Sequence, residues 1–369
     1  MYTFQPMIRF GFHQRLALLL ALLLAVGLRL HRLGADSLWY DETVSALLAA
    51  KPLAAMWAHT ARDIHPPLYY ALLHGWTLLA GRSEFALAFL SLFFGVVDVA
   101  LIAHLGRRSF GSAAGLLAAW LAALSPLAVW YSQEVRMYTL GICWLLGLLI
   151  LAWPYARGQG STWRLATGVA ILTALSLWTL YYAGFALVAL NLFLLPWLWL
   201  RARYRLGPWL LAQVAALLLY LPWLPIALRQ VLHPPVPPWR AALPPLELLG
   251  KAWVEGSAAL VVGQSVAPER WQPWAILGVV LALLAFTLPA RFDRRRPWAG
   301  TLLLCATVAG PLALILLASA LFTPLYHVRY LALYSGAFPV LLATGLIAIG
   351  RVRLPWPRLR LGLAAGLCL

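Results

Sequence analysis

Four short stretches of this chain carry residue types that could do chemistry. Asp41 and Glu42 stand side by side behind Trp39 and Tyr40. A carboxylate beside a membrane surface can serve as general base toward an acceptor hydroxyl or amine, or as a metal ligand. The plain alternative is a pair of acids favouring the dipole of a helix start, next to an aromatic interface belt. His65 comes next, followed by Pro66 and Pro67, with Pro67 preset for the first turn of a helix through LYYALLHGWTLL. The free N–H groups of that turn, with His65, suit an anion, although a structural histidine at an ordinary helix start also fits. The third stretch, SPLAVWYSQEVRMY at 125–138, holds Gln133, Glu134, Arg136 and Tyr138. Burying such groups beside lipid is costly unless a partner or a substrate compensates, and an internal Glu134–Arg136 ion pair is the structural alternative. The planar fork of an arginine binds two phosphate oxygens at once. The fourth stretch, Tyr326-His327-Val328-Arg329-Tyr330, repeats the theme, while Tyr181 and Tyr182 fit an aromatic girdle better than a site wall. Two carboxylates, a histidine and two arginines amount to a site for an anionic lipid with acid/base chemistry.

The elements that must position these groups follow from composition. Of 369 residues, 63% are hydrophobic and 11% charged, with 19 Trp and a mean hydropathy of +0.83. A soluble domain has roughly 25% charged and 45–50% apolar residues, so a soluble globular fold is excluded. At ~20 residues per crossing the apolar content fills about ten helices. Spans are expected near 14–33, 84–104, 112–131, 137–154, 164–182, 183–200, 208–228, 273–290, 299–322 and 331–349. The fold class is therefore an all-α polytopic membrane protein, with one transmembrane domain over 1–350. Its two long outer loops fall at about 34–83 and 229–272. In the first, Val44, Leu47, Leu48, Leu53, Met56 and Trp57 recur at helical spacing and suit an amphipathic helix on the outer leaflet. Residues 351–369 form a basic cytoplasmic segment ending in LGLAAGLCL, an apolar run too short to cross a bilayer. That end is either a fragment of a longer span or an interfacial segment.

The net charge of +17 has a membrane explanation. With the N-terminus inside, Arg107, Arg108, Arg157, Arg164, Arg201, Arg203, Arg205, Arg291 and Arg294–Arg296 all fall in short cytoplasmic connections, joined there by Asp293 as the one acid. This is the positive-inside pattern. Acidic residues gather outside, apart from Asp98 within a span, so chemistry is expected on the extracytoplasmic face. Scattered loop arginines form no contiguous basic surface, which removes nucleic acid as a partner. Cys143, Cys305 and Cys368 lie in apolar runs without paired spacing, so neither a disulfide framework nor a zinc site is encoded. The first span is followed by no small-x-small cleavage site and reads as a retained helix. The stretch HPPVPPW at 233–239 has extended character.

In order and spacing, SLWYDE, HPPLYYALLHGW, GRSEFALAFLSLFFGVVDVALIAHLGRRSFG and SPLAVWYSQEVRMYTLG resemble the bacterial membrane glycosyltransferases of family 39. These are relatives of the protein O-mannosyltransferases and the aminoarabinose–lipid A transferase. The resemblance runs from about Leu28 to Leu200, with a weaker match at YHVRYLALYSGAFPVLLATGL. It implies a C-type glycosyltransferase fold with interfacial helices in the first outer loop. It also implies a sugar donor carried on polyprenyl phosphate, a multi-pass location in the inner (plasma) membrane, and transfer to a lipid, glycan or protein acceptor on the extracytoplasmic side.

Carried over by position, Asp41 matches the catalytic base and Glu42 its neighbour. His65 stands where relatives have His or Lys near the donor phosphate. Arg136 matches the arginine of Q-E-x-R-x-Y, supported by Tyr138, Gln133 and Glu134, and Arg329 with Tyr330 is similar to a late Arg-Tyr pair. Val135 and Met137 replace the small or Pro residues common around that arginine. The C-terminal spans or outer domain of many relatives, where acceptor choice partly resides, have no counterpart here. The mechanism implied is a direct displacement at the anomeric carbon. The residues single out no cofactor, and a divalent metal is left open, although Asp41 and Glu42 alone supply too few ligands to close a site. A polyprenyl-lipid flippase or a secondary transporter is the alternative, but broken helices in two repeated halves are missing and ionisable groups avoid the midplane.

Overall fold

The computed structural model describes residues 11–233, 242–267, 269, 270, 273, 274, 277 and 298–351. The expected span at 273–290 lies almost wholly outside them, as do the arginines at 291–296 and the end at 352–369. Every regular element among the described residues is helical. The chain is a multi-pass membrane protein. Among the described residues six helical segments are long and apolar enough to cross a membrane, or eight if each of two bent pairs counts as one span. The expected number of about ten is not reached there.

Helix α1 (Phe12–Leu30) leads into the first long connection, which folds as α2 (Tyr40–Ala49), α3 (Leu53–Thr60) and α4 (Leu68–Ala80). The single amphipathic helix expected there is two, because Pro52 has no N–H to continue α2 and caps α3 instead. Next come α5 (Glu84–Phe110), α6 (Ser112–Leu124), α7 (Pro126–Gln133), α8 (Tyr138–Ala156), α9 (Thr162–Thr179) and α10 (Ala183–Arg201). They are followed by α11 (Leu206–Tyr220), α12 (Leu224–Leu232), α13 (Pro245–Val262) and α14 (Trp298–Leu321). Short turns at Val328–Tyr330, Leu331–Tyr334 and Ser335–Ala337 then lead into α15 (Phe338–Arg351).

Two expected straight spans are broken. The chain turns by 58° between α6 and α7, where Pro126 opens α7 and the Ser125 hydroxyl caps it by accepting the Ala128 N–H, and by 90° between α11 and α12, around Pro222 and Pro225. A proline inside a helix removes one hydrogen bond and clashes with the preceding turn. Both breaks turn a short helix across the site end of the bundle. The apolar interior accordingly divides along its length. One cluster centres on Val99, Ala118, Leu146, Val169, Leu194 and Val340, and the other, around the first loop, on Leu48, Tyr70, Leu92, Val135, Leu140 and Leu333.

Small residues set the closest helix contact. A Cβ on Gly106 would lie 2.9 Å from Gly115 Cα, and one on Gly115 would lie 2.5 Å from the Ala103 carbonyl. Backbones of α5 and α6 therefore touch, as in small-residue packing within membranes.

Arg29, fully buried near the end of α1, joins these elements. It donates to the carbonyls of Ala122 (3.3 Å) and Ala123 (3.2 Å) at the end of α6, and through Nε to Ser132 Oγ of α7 (3.0 Å). Gly95 makes the room, since a Cβ there would lie 2.1 Å from Ser132 Oγ. Arg29 and Asp98 line one cavity of about 30 Å³. A buried polar group left without its hydrogen-bond partner costs about 1–3 kcal/mol, and more where the bond is to a charged group. Arg29→Met, which strips the Ala122, Ala123 and Ser132 contacts, is thus expected to lower the melting temperature of the detergent-solubilised protein sharply, read by thermal unfolding.

Candidate active site

The first acid pair divides its labour because successive helical residues point in different directions. Trp39 is the N-cap of α2, and Glu42, at the third helical position, accepts the Trp39 N–H at 3.2 Å, as in a capping box. The other Glu42 oxygen accepts the Val135 N–H at 2.8 Å, so this carboxylate ties the start of α2 to the turn between α7 and α8. Burial raises the Glu42 pKa, partly offset by those two backbone N–H groups and by Arg136. Asp41 turns the other way and keeps a quarter of its side chain exposed.

Arg136 sits on that same α7–α8 turn and is 3% exposed. Its Nη1 donates to the Asp41 carbonyl (3.2 Å) and to Ser45 Oγ (3.4 Å). Its Nη2 lies 3.1 Å from His65 Nε2 and 4.0 Å from Asp41 Oδ2. Because a guanidinium can only donate, His65 Nε2 accepts and the ring proton sits on Nδ1, which is buried without a hydrogen-bond partner. Burial, then the charges of Arg136 and Arg329, hold the His65 pKa well below the usual imidazole range, in keeping with that neutral form. The Ser91 hydroxyl donates to the Arg136 carbonyl (3.1 Å), fixing the turn from α5.

Arg329 arrives from the Val328–Tyr330 turn. Its Nη1 lies 2.7 Å from Asp41 Oδ2, and its guanidinium lies 5.2 Å from the centre of the Trp39 ring, a cation–π contact. Tyr330 stacks on Tyr182 with ring centres 3.5 Å apart. Asp41, His65, Arg136 and Arg329 thus form one cluster drawn from four separate segments, and Asp41 stands between two guanidinium groups. That setting favours an anion over a divalent cation, and among the described residues no group of three His, Cys, Asp or Glu side chains is gathered to hold a metal.

The remaining expected residues surround the cluster. Tyr138 is buried edge-on against Tyr131. Gln133 donates to the Arg29 (3.1 Å) and His31 (2.8 Å) carbonyls and so caps α1. Glu134 accepts the Trp130 indole N–H at 2.8 Å and makes no ion pair with Arg136, whose carboxylate partner is Asp41 instead. Tyr181 takes part in a hydrogen-bond network rather than a girdle. Sequence reasoning missed Ser45, Ser91 and Arg29, and also Gln230, which reaches the loop before His65. Arg29 and Gln230 lie in largely apolar helices with no motif around them to single them out.

With this geometry in place, comparison with known proteins is informative. The family model described as dolichyl-phosphate-mannose-protein mannosyltransferase matches residues 64–226, which takes in His65 and Arg136 but neither Asp41 nor Arg329. ArnT from Cupriavidus metallidurans, solved bound to undecaprenyl phosphate, is similar at a TM-score of 0.62 and 15% identity, over 95% of this chain and 62% of its own. Its apo state gives 0.65 and 16%, over 96% and 63%. The oligosaccharyltransferase AglB from Archaeoglobus fulgidus, solved with an inhibitory peptide and a dolichol-phosphate, gives 0.55 and 15%, over 97% and 54%. The chain has the C-type glycosyltransferase fold. The resemblance to the family 39 membrane glycosyltransferases, expected from its motifs, is borne out. The chain spans less than two thirds of the length of these solved proteins. No curated protein sequence matches it significantly.

Burial pushes the Glu134 pKa up to about 7, opposed by the Trp130 N–H, with Glu42 raising it further and Arg136 lowering it. A carboxyl group buried in its neutral form stabilises the fold below its unfolded pKa, and that contribution is lost as pH rises through the folded value. Melting temperature is therefore expected to fall between about pH 4.5 and 7, and Glu134→Gln to flatten that part of the profile.

Proposed function

We propose that this protein is an integral membrane glycosyltransferase that moves a sugar from a polyprenyl-phosphate donor to an acceptor on the extracytoplasmic face. The observation that carries this reading is the cluster in which Asp41 lies 2.7 Å from Arg329 and 4.0 Å from Arg136, itself 3.1 Å from His65. A carboxylate with access to solvent, set against two guanidinium groups beside a membrane, matches what the transfer requires. One group must take a proton from the acceptor, and fixed positive charge must receive a phosphate as it leaves.

In this mechanism the acceptor oxygen or nitrogen attacks the anomeric carbon, and the bond from that carbon to the phosphate oxygen breaks. Asp41 takes the acceptor proton, and the electron pair of the broken bond stays with the polyprenyl phosphate. Arg136, with His65 behind it and Arg329 at the rim, stabilises the growing phosphate charge. An arriving phosphate competes with Asp41 for Arg329, which frees a carboxylate oxygen as the donor binds. The base would thus become available only when there is something to activate. Glu42, with both oxygens on backbone N–H groups, acts by holding α2 against the α7–α8 turn, and Tyr138 packs behind Arg136.

Preorganised donors aimed at developing charge are typically worth about 3–4 kcal/mol each, so Arg136→Ala is expected to slow transfer on the order of a hundredfold or more. Asp41→Asn should cost at least as much. Mass spectrometry of polyprenyl-phosphate lipids from native cells, at matched levels of each variant, tests both. Accumulation of one polyprenyl-phosphate sugar in both variants is the expected result and identifies the donor. An unchanged lipid pool with both proteins folded in the membrane would overturn the reading in favour of a flippase or transporter.

A further inference from the structure

After the break at Pro222, α12 lies at 90° to α11 and brings Gln230 to the end of α3. Gln230 is 9% exposed. Its Nε2 donates to the carbonyls of Thr60 (3.0 Å) and Ala61 (3.2 Å) and to that of Asp63. Its Oε1 accepts the Tyr181 hydroxyl, which itself accepts the Trp223 indole N–H at 2.8 Å. Arg229 adds a bond from Nη2 to the Ala61 carbonyl at 2.6 Å. Beneath these bonds the Trp57 ring of α3 packs on Trp223 and Trp178, with ring centres 4.9 and 5.4 Å apart.

These contacts converge on residues 60–63, which run directly into Ile64 and His65. A loop carbonyl at such a place would otherwise take water, and three of them face one amide. Only a group with both a donor and an acceptor can serve Tyr181 and the carbonyls together. The loop carbonyls set the orientation of the amide, since they can only accept and so take the NH₂, leaving Oε1 for the Tyr181 hydroxyl, which accepts from Trp223 and donates to it. His65 meanwhile has one bond of its own to the cluster, from Arg136, and its ring is placed by the chain on either side. On one side Pro66 and Pro67 fix the backbone into α4. On the other, the bonds from Gln230 do.

We propose that Gln230 is a positioning residue for the donor-phosphate site: it clamps the 60–63 loop and thereby holds His65 on Arg136. The clamp itself is independent of the reaction, while its importance for phosphate binding rests on the function proposed above. A Gln230→Glu substitution keeps the shape but puts a carboxylate against three carbonyls, and Gln230→Ala removes the bonds altogether. Tyr181→Phe leaves Oε1 without its donor and has a smaller effect.

Two measurements on the full-length protein in detergent test this. In the first, diethyl pyrocarbonate modifies accessible histidines and peptide mass spectrometry reads His65. His74, whose Nδ1 lies 2.8 Å from the Ala49 carbonyl, serves as the internal control. Loss of buried hydrogen bonds shifts local opening by roughly tenfold, so His65 modification should rise by about that factor in Gln230→Ala and Gln230→Glu while His74 does not change. Unchanged His65 modification in both variants overturns the clamp, and a joint rise at His74 overturns it by showing general unfolding. In the second, native mass spectrometry measures binding of undecaprenyl phosphate to wild type, Arg136→Ala, His65→Ala, Gln230→Ala and the His65→Ala/Gln230→Ala double variant. Expected is weaker binding in each single variant, with the double variant no weaker than His65→Ala alone. Additive losses would show that Gln230 acts elsewhere and overturn the coupling. Undiminished binding in Arg136→Ala would instead count against the proposed function, with the His65 modification still deciding the clamp.

Discussion

A guanidinium buried in an apolar bundle must find its partners within the protein, and Arg136 finds them on segments far apart in the chain. Its bonds reach the backbone of Asp41, the hydroxyl of Ser45 and the ring of His65, while Asp41 offers its carboxylate to Arg329 as well. Leaving such a charge unpartnered costs several kcal/mol, so this requirement draws α2, the loop before α4, the α7–α8 turn and the Val328–Tyr330 turn together. Most of the site architecture is the solution to that single problem.

The rest of the bundle prepares this meeting. Prolines end helices where the chain must turn across the site end, and small residues let α5 and α6 touch, which gives the α6–α7 bend a firm base. Arg29 and Gln133 then bind α1, α6 and α7 into one unit from both directions, the first with its side chain and the second by capping the backbone at Arg29 and His31. The backbone of the α7–α8 turn that carries Arg136 is therefore held by side chains from two other helices, the Glu42 carboxylate on the Val135 N–H and the Ser91 hydroxyl on the Arg136 carbonyl. Arg136 is buried and fixed, whereas Asp41 and Arg329 at the rim keep contact with solvent.

Much of this was legible in the sequence, and for identifiable reasons. Asp41, His65, Arg136 and Arg329 stood out because ionisable residues are rare in a chain that is 63% hydrophobic, and the structure brings all four together. The helix after Pro67 was legible because proline constrains its own φ. Hydropathy alone could not foresee the bends at Pro126 and Pro222, because a window of apolar residues reads the same whether the helix is straight or folded over. The Glu134–Arg136 pair suggested by proximity in sequence does not form, since neighbours in a turn point apart and Asp41 competes better from across the fold. Gln230 and Arg29 escaped attention because a single polar residue in an apolar helix carries no pattern, and their partners are backbone carbonyls that no sequence displays.

Asp41 and Arg136 are separated by 95 positions along the chain, but Asp41 and Arg329 by 288. A ribosome delivers these groups in that order. The first half of the cluster has all its members once α8 begins, while the guanidinium that makes the shortest ion pair with Asp41 is synthesised long afterwards. The buried guanidinium of the site thus precedes the one at its rim in the order of synthesis, and the rim pair can form only after the chain through α14 has been made.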